Sequence, residues 1–132
     1  MTETYPIIGV QKPSENRFDG AVYVLIDGGA ISATAEFCAT LDYYKRARFV
    51  GEETGGAAEG DTGGGDLNLT LPESHLRVRI PGEAYFTVVD SNNRRRGTRP
   101  TYAVTQTVND LAIGRDSALE FTRELIRGAN RR

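Results

Sequence analysis

The longest apolar run in the chain, Ala21-Val22-Tyr23-Val24-Leu25-Ile26, has no polar alternate position. Rich in β-branched residues, it carries the pattern of a strand covered on both faces, as in parallel sheets. Asp27-Gly28-Gly29 ends it, and a helix is expected to begin near Ser32. Phe37, Leu41 and Tyr44 then recur at i, i+4 and i+7, the spacing of a core-facing helical stripe. After Lys45-Arg46, the segment Ala47-Arg48-Phe49-Val50 reads as a second strand ending at Gly51. Strand, helix and strand in this order predict a βαβ unit.

Downstream the pattern changes period. The segment from Gly55 to Gly65 is too glycine-rich for regular structure and reads as a mobile loop beside a substrate groove. Leu67-Asn68-Leu69-Thr70-Leu71 and Leu76-Arg77-Val78-Arg79-Ile80 alternate with period two, joined by Pro72-Glu73-Ser74-His75, and predict a hairpin. Ala84–Val89 and Tyr102–Thr105 are expected to add strands. A last helix is predicted from Asp116 to Arg127, with Leu119, Leu125 and Ile126 on its apolar side and Gly128 as its stop. Before the βαβ unit, Pro6-Ile7-Ile8-Gly9-Val10 fits a short edge strand, and Pro13–Asn16 and Asp19-Gly20 fit turns.

Composition narrows the function classes. With 132 residues the chain fits one domain: a leading segment 1–17, a body 18–127 and a basic tail 128–132. Lys plus Arg number 16 and Asp plus Glu 18, for a net charge of −2, the wrong sign for general nucleic-acid binding. No run is long enough for a membrane helix. The first residues lack the basic and apolar regions of a signal peptide, so a cytoplasmic location is the default expectation. One cysteine, Cys38, excludes an internal disulfide, and its apolar neighbours suggest an inert core thiol. One histidine argues against a metal site needing several, and no cofactor or metal is expected.

Ser32 is the most suggestive residue. It follows a strand and a glycine turn and opens a helix, where a hydroxyl lies close to helix-terminal N–H groups that could stabilise an oxyanion. The same position suits a serine that caps the helix by hydrogen-bonding its first turn. The glycine loop lacks the G-x-x-x-x-G-K-[ST] and G-x-G-x-x-G patterns of phosphate cradles. Arg94-Arg95-Arg96 with Arg99 forms a basic turn able to hold a phosphate or carboxylate, or simply a solvated loop. His75 lies in a predicted turn with nothing to place it near Ser32, and Asp19, Asp27 and Asp110 read as turn chemistry.

Together, Leu25-Ile26-Asp27-Gly28-Gly29-Ala30-Ile31-Ser32-Ala33, Phe37, Leu41, Arg46-Ala47 and Val50-Gly51-Glu52-Glu53-Thr54-Gly55-Gly56 resemble the core of the tail-specific (C-terminal-processing) serine peptidases. The resemblance is closer to the branch containing the tricorn protease core and interphotoreceptor retinoid-binding protein. The 19-residue step from Ser32 to Gly51 is similar to that family's spacing of nucleophile and glycine. Leu71-Pro72-Glu73-Ser74 with Arg77-Val78-Arg79, Gly97-Thr98-Arg99-Pro100, and Gly114-Arg115-Asp116 with Leu119 resemble its later motifs.

The resemblance implies an α/β fold: a partial Clp-protease/crotonase-like core, with the βαβ unit followed by a β-rich hairpin region and a C-terminal helix. It implies Ser32 as the nucleophile position, the Ala33 backbone N–H as an oxyanion donor, and Gly29, Gly55 and Gly56 along a substrate groove. The lysine base of the bacterial branch would fall at Ala57, so a Ser–Lys dyad is absent. The D-L-R-x-N-x-G-G segment that accompanies the histidine base of the other branch does not occur in the sequence. In place of the acidic helper stand Arg94, Arg95 and Arg96, and Thr101 replaces the aspartate after Pro100. The expectation is a serine-peptidase-like, acyl-transfer domain without a recognisable base, inactive in isolation. The alternative is a non-catalytic ligand-binding or assembly module keeping the peptidase fold. Expected partners are a peptide or small hydrophobic ligand and, because the Ala21–Ile26 strand needs cover on both faces, further copies of the chain.

Overall fold

The computed structural model describes residues 12–87, 89 and 95–129. Its centre is a parallel sheet of β1 (Tyr23–Ile26), β2 (Arg48–Gly51) and β7 (Tyr102–Ala103), in the order β1-β2-β7. Helix α1 (Ala33–Tyr43) crosses from β1 to β2, completing the βαβ unit. The parallel register sets Val24 beside Phe49 and Ile26 beside Gly51. These side chains share one face, where Ile26 and Phe49 meet Cys38 of α1, with Val24, Leu41 and Ala47 packed around them. On the other face, helix α3 (Ser117–Ala129) contacts β1 and β2. Its Phe121 ring lies against Tyr102 with centroids 5.6 Å apart.

The face α1 presents differs from the expected stripe. Ala35, Cys38 and Ala39 are buried, whereas Phe37 and Tyr44 are exposed, at 57% and 71%. Small side chains let the helix approach the sheet closely, and the bulky aromatics are left outside that contact. Only Leu41 of the expected triad joins the core cluster. The helix stops in a Schellman arrangement: Lys45 donates to the Asp42 carbonyl at 3.0 Å and Arg46 to the Leu41 carbonyl at 2.9 Å. Lys45 takes the left-handed φ of 52° usually left to glycine. The Arg46 guanidinium then reaches back to the carbonyls of Phe18, at 2.6 Å, and Gly20, at 3.1 Å, and fastens the approach to β1.

The glycine-rich segment is partly regular, contrary to expectation. Gly60–Thr62 forms β3 and pairs antiparallel with β6 (Ala84–Phe86). Further along the same ribbon, β4 (Leu67–Thr70) pairs with β5 (Arg77–Ile80). Thr62 faces Ala84 and Leu67 faces Ile80, so the first strand carries one residue more than the second between the two ladders. Gly64 and Gly65, at φ of 75° and 55°, absorb it as a bulge.

Other boundaries also shift. β1 begins at Tyr23 rather than Ala21, and Leu25 is 40% exposed, so the second face of the strand is only partly covered. β6 and β7 are shorter than the predicted strands. Helix α3 continues through Gly128 to Ala129, so that glycine does not stop it. A short helix, α2 (Val108–Ala112), was not expected. It starts in a capping box in which Thr107 Oγ1 accepts from the Asp110 N–H and Asp110 accepts from the Thr107 N–H. The edge strand expected at Pro6–Val10 lies outside the described residues. No helix among the described residues is long and apolar enough to cross a membrane.

Candidate active site

The β1–α1 connection is built by local polar contacts. Asp27 Oδ1 accepts from the Gly29 N–H at 2.8 Å, and the Asp27 carbonyl accepts from the Ala30 N–H at 3.1 Å. This is the turn chemistry expected of Asp27. The chain then turns sharply into α1, with Ser32 as the residue before the first helical position. Its backbone stands at φ 51°, ψ −130°, a strained combination for a residue with a Cβ. Its carbonyl accepts the first helical bond from the Glu36 N–H at 3.0 Å, but its hydroxyl makes no capping bond. The cap reading of Ser32 is therefore corrected: the residue stands at the N-cap position, but its exposed side chain forms no hydrogen bond to the first turn. The Ala33 N–H sits in that first turn, where no intrahelical acceptor exists for it.

What imposes the turn is the segment after β2. Gly56 donates to the Ala30 carbonyl at 3.0 Å. A Cβ on Gly56 would lie 2.6 Å from the Ala35 Cβ and 3.2 Å from the Ser32 nitrogen; on Gly55 it would lie 2.1 Å from the Gly28 carbonyl oxygen. Both glycines are thus required by close backbone approach to the serine turn. Gly51, at φ 122°, is a third, since its Cβ would meet the Ile26 carbonyl oxygen at 2.1 Å.

This segment is itself clamped by residues 96–98. The buried Thr54 hydroxyl accepts from the Thr98 N–H at 2.8 Å and donates to the Gly56 carbonyl at 3.0 Å. Glu53 holds Arg96 at 2.9 Å and the Gly97 N–H at 3.0 Å. The bond to Arg96 is the main cause holding the Glu53 carboxyl below its ordinary pKa. Arg96 is therefore engaged in the fold rather than free for an anion, and Arg94 lies outside the described residues. Thr101 Oγ1 accepts from the Phe49 N–H at 3.1 Å, so this residue too ties the turn to β2.

A cleft of about 900 Å³ opens at the carboxyl ends of the parallel strands, where ligands of open α/β sheets commonly bind. Leu25, Gly28, Gly29, Glu52, Val104 and Arg115 are among its lining residues. Gly29 lines this cleft; Gly55 and Gly56 instead lie under the serine turn. Arg115 is held by Glu120 at 2.7 Å and Asp110 at 3.7 Å. Asp19 pairs with Arg17 at 3.0 Å. His75 stands exposed in the β4–β5 turn at φ 56°. Cys38 is buried against the sheet, and burial pushes its thiol pKa up. No group of three or more His, Cys, Asp or Glu among the described residues could hold a metal.

The long-range clamp was missed from sequence, because nothing in the spacing pairs Thr54 with Thr98. The capping box at Thr107-Val108-Asn109-Asp110 had a readable signature.

Comparison with known proteins places the chain as a whole. A crystal structure of a candidate peptidase from Parabacteroides merdae ATCC 43184 superposes with a TM-score of 0.58 at 27% identity, over 86% of this chain. This chain spans 34% of that one. No curated protein matches. The model of peptidase family S41 matches residues 3–104, which include β1, the serine turn, β2 and the hairpin ribbon. The chain belongs to peptidase family S41.

Proposed function

We propose that the chain is the serine-bearing part of a peptidase domain, with Ser32 as nucleophile, the Ala33 N–H as an oxyanion donor and a partial Clp-protease/crotonase-like core as scaffold. The observation that carries this reading is the strained backbone of Ser32 with its uncapped, exposed hydroxyl. Strain persists where surrounding structure over-determines it, and it clusters at functional sites. A serine on a sharp strand-to-helix turn is also how hydrolases expose a nucleophile.

In the proposed reaction the Ser32 hydroxyl oxygen attacks a peptide carbonyl while a base takes its proton. The carbonyl oxygen becomes an oxyanion facing the Ala33 N–H. The tetrahedral carbon then expels the amine, which receives that proton, and water releases the acyl group from Ser32. No base for this step is recognisable in the sequence. Ala57 occupies the position where the resemblance puts a lysine, directly after the glycine that touches the serine turn. A serine without a base is a weak nucleophile. The isolated chain is therefore expected not to label with a fluorophosphonate above a Ser32→Ala control, whereas an Ala57→Lys variant should label in a Ser32-dependent way. Labelling of the unmodified chain that is lost in Ser32→Ala would show that a base is already present, with His75 or a partner subunit the first candidates. Failure of Ala57→Lys to label would count against the nucleophile assignment.

A second reading draws on the cleft, whose Leu25, Val104 and Leu111 suit a peptide or small hydrophobic ligand in a non-catalytic module. Ligand binding that survives Ser32→Ala, without labelling of any variant, would favour it.

A further inference from the structure

The β4–β5 hairpin is the least covered regular element of the fold. All its residues are exposed, yet its sequence is not that of a solvated surface. Leu67 faces Ile80 and Leu69 faces Val78 across the ladder, and the Leu71 N–H donates to the Leu76 carbonyl at 3.0 Å as the next rung. These six apolar side chains fall on one face by the two-residue alternation of strands. Leu67 and Leu76 are 64% and 63% exposed, and the other four lie between 36% and 49%. Asn68, Thr70, Arg77 and Arg79 occupy the opposite face, where Arg79 bonds Asp66 at 2.7 Å. A two-stranded hairpin of this length is marginal in water without something against its apolar face.

We infer that this face is a self-association surface, and that its occupant is the same face of a second copy of this chain. Two arguments select that occupant. The first is area. The six side chains leave roughly 500 Å² of apolar surface open per copy, at the upper end for a monomer's largest patch. Two such faces together would bury about 1,000 Å², the lower bound for a specific interface and the size of a weak, reversible one. The second is charge. The ionic groups of the hairpin strands lie on the far face, so twofold pairing about the Leu69–Val78 rung buries no unpaired charge. The inference is independent of the role given to Ser32. It also moves the expected association from the Ala21–Ile26 strand to the hairpin.

The test is sedimentation of the full chain from about 1 to 100 µM, with a Leu69→Glu/Val78→Glu double variant and a Thr70→Glu variant on the polar face. The expected result is a reversible dimer for the unmodified chain and for Thr70→Glu. The double variant should dimerise at least about a hundredfold more weakly. Hydrogen exchange on the unmodified chain guards against a variant that merely misfolds: protection of the Leu69 and Val78 amides should rise with concentration. A chain that stays monomeric at the top concentration would overturn the inference, leaving another partner or polypeptide segment as the occupant. A dimer unaffected by the double substitution, or protection independent of concentration, would overturn it equally.

Discussion

Thr54 and Thr98 offer two chemically identical substitutions with opposite expected effects. Both side chains are buried, at 4% and 0% exposure. The Thr54 hydroxyl joins two backbones, accepting from Thr98 and donating to Gly56. The Thr98 hydroxyl, by contrast, is buried with no hydrogen-bond partner among the described residues. Replacing threonine by valine keeps shape and β-branching while removing the hydroxyl. At position 54 it strands the buried Thr98 N–H and frees the Gly56 carbonyl, for a loss of about 1–3 kcal/mol. At position 98 it removes a polar atom that folding desolvates without compensation, for a gain of about 1 kcal/mol. Urea unfolding followed by far-ultraviolet circular dichroism would read the pair. With a slope near 2 kcal/mol per molar, the midpoints of Thr54→Val and Thr98→Val should separate by roughly 1–2 M. Midpoints that coincide, or that fall in the reverse order, would refute the clamp as the element holding Gly56 against the serine turn.

Ser32→Gly should stabilise the fold by about 1 kcal/mol in the same assay, since glycine relieves the positive φ and no cap bond is lost; an unchanged or lower midpoint would deny the strain. The Glu53 carboxyl, held down mainly by Arg96, has a folded-state pKa below its ordinary 4.5. Its contribution is therefore present above that value and lost as pH falls through the folded pKa. The stability gap between the unmodified chain and Glu53→Gln should be open at neutral pH and shrink as the pH falls below the ordinary carboxylate range through the folded pKa; a gap of constant size would contradict the assignment.

The βαβ unit was legible because β1 and β2 are local apolar runs bounded by glycine, and the hairpin because its alternation is regular over both strands. The face of α1 was not, since hydrophobic periodicity weights Phe37 and Tyr44 by their size while contact with the sheet selects Ala35, Cys38 and Ala39. Ser32 stood out as a helix-opening serine, but its strain could not be read. That strain comes from Gly56, 24 positions later, and Gly56 is fixed in turn by a threonine bonded to residue 98. Coupling of this kind leaves no periodic trace. The glycine-rich stretch was misread as one loop because glycines serving close approach, a strand and a bulge look alike in sequence.

Cys38 gives the molecule a built-in clock. The chain has one thiol, 1% exposed and seated where α1 meets β1 and β2. Burial raises its pKa, so little reactive thiolate exists while the helix stays docked. A thiol reagent thus reacts only when α1 lifts from the sheet. Its reaction rate, one event per molecule, reports how often the platform carrying the serine turn opens.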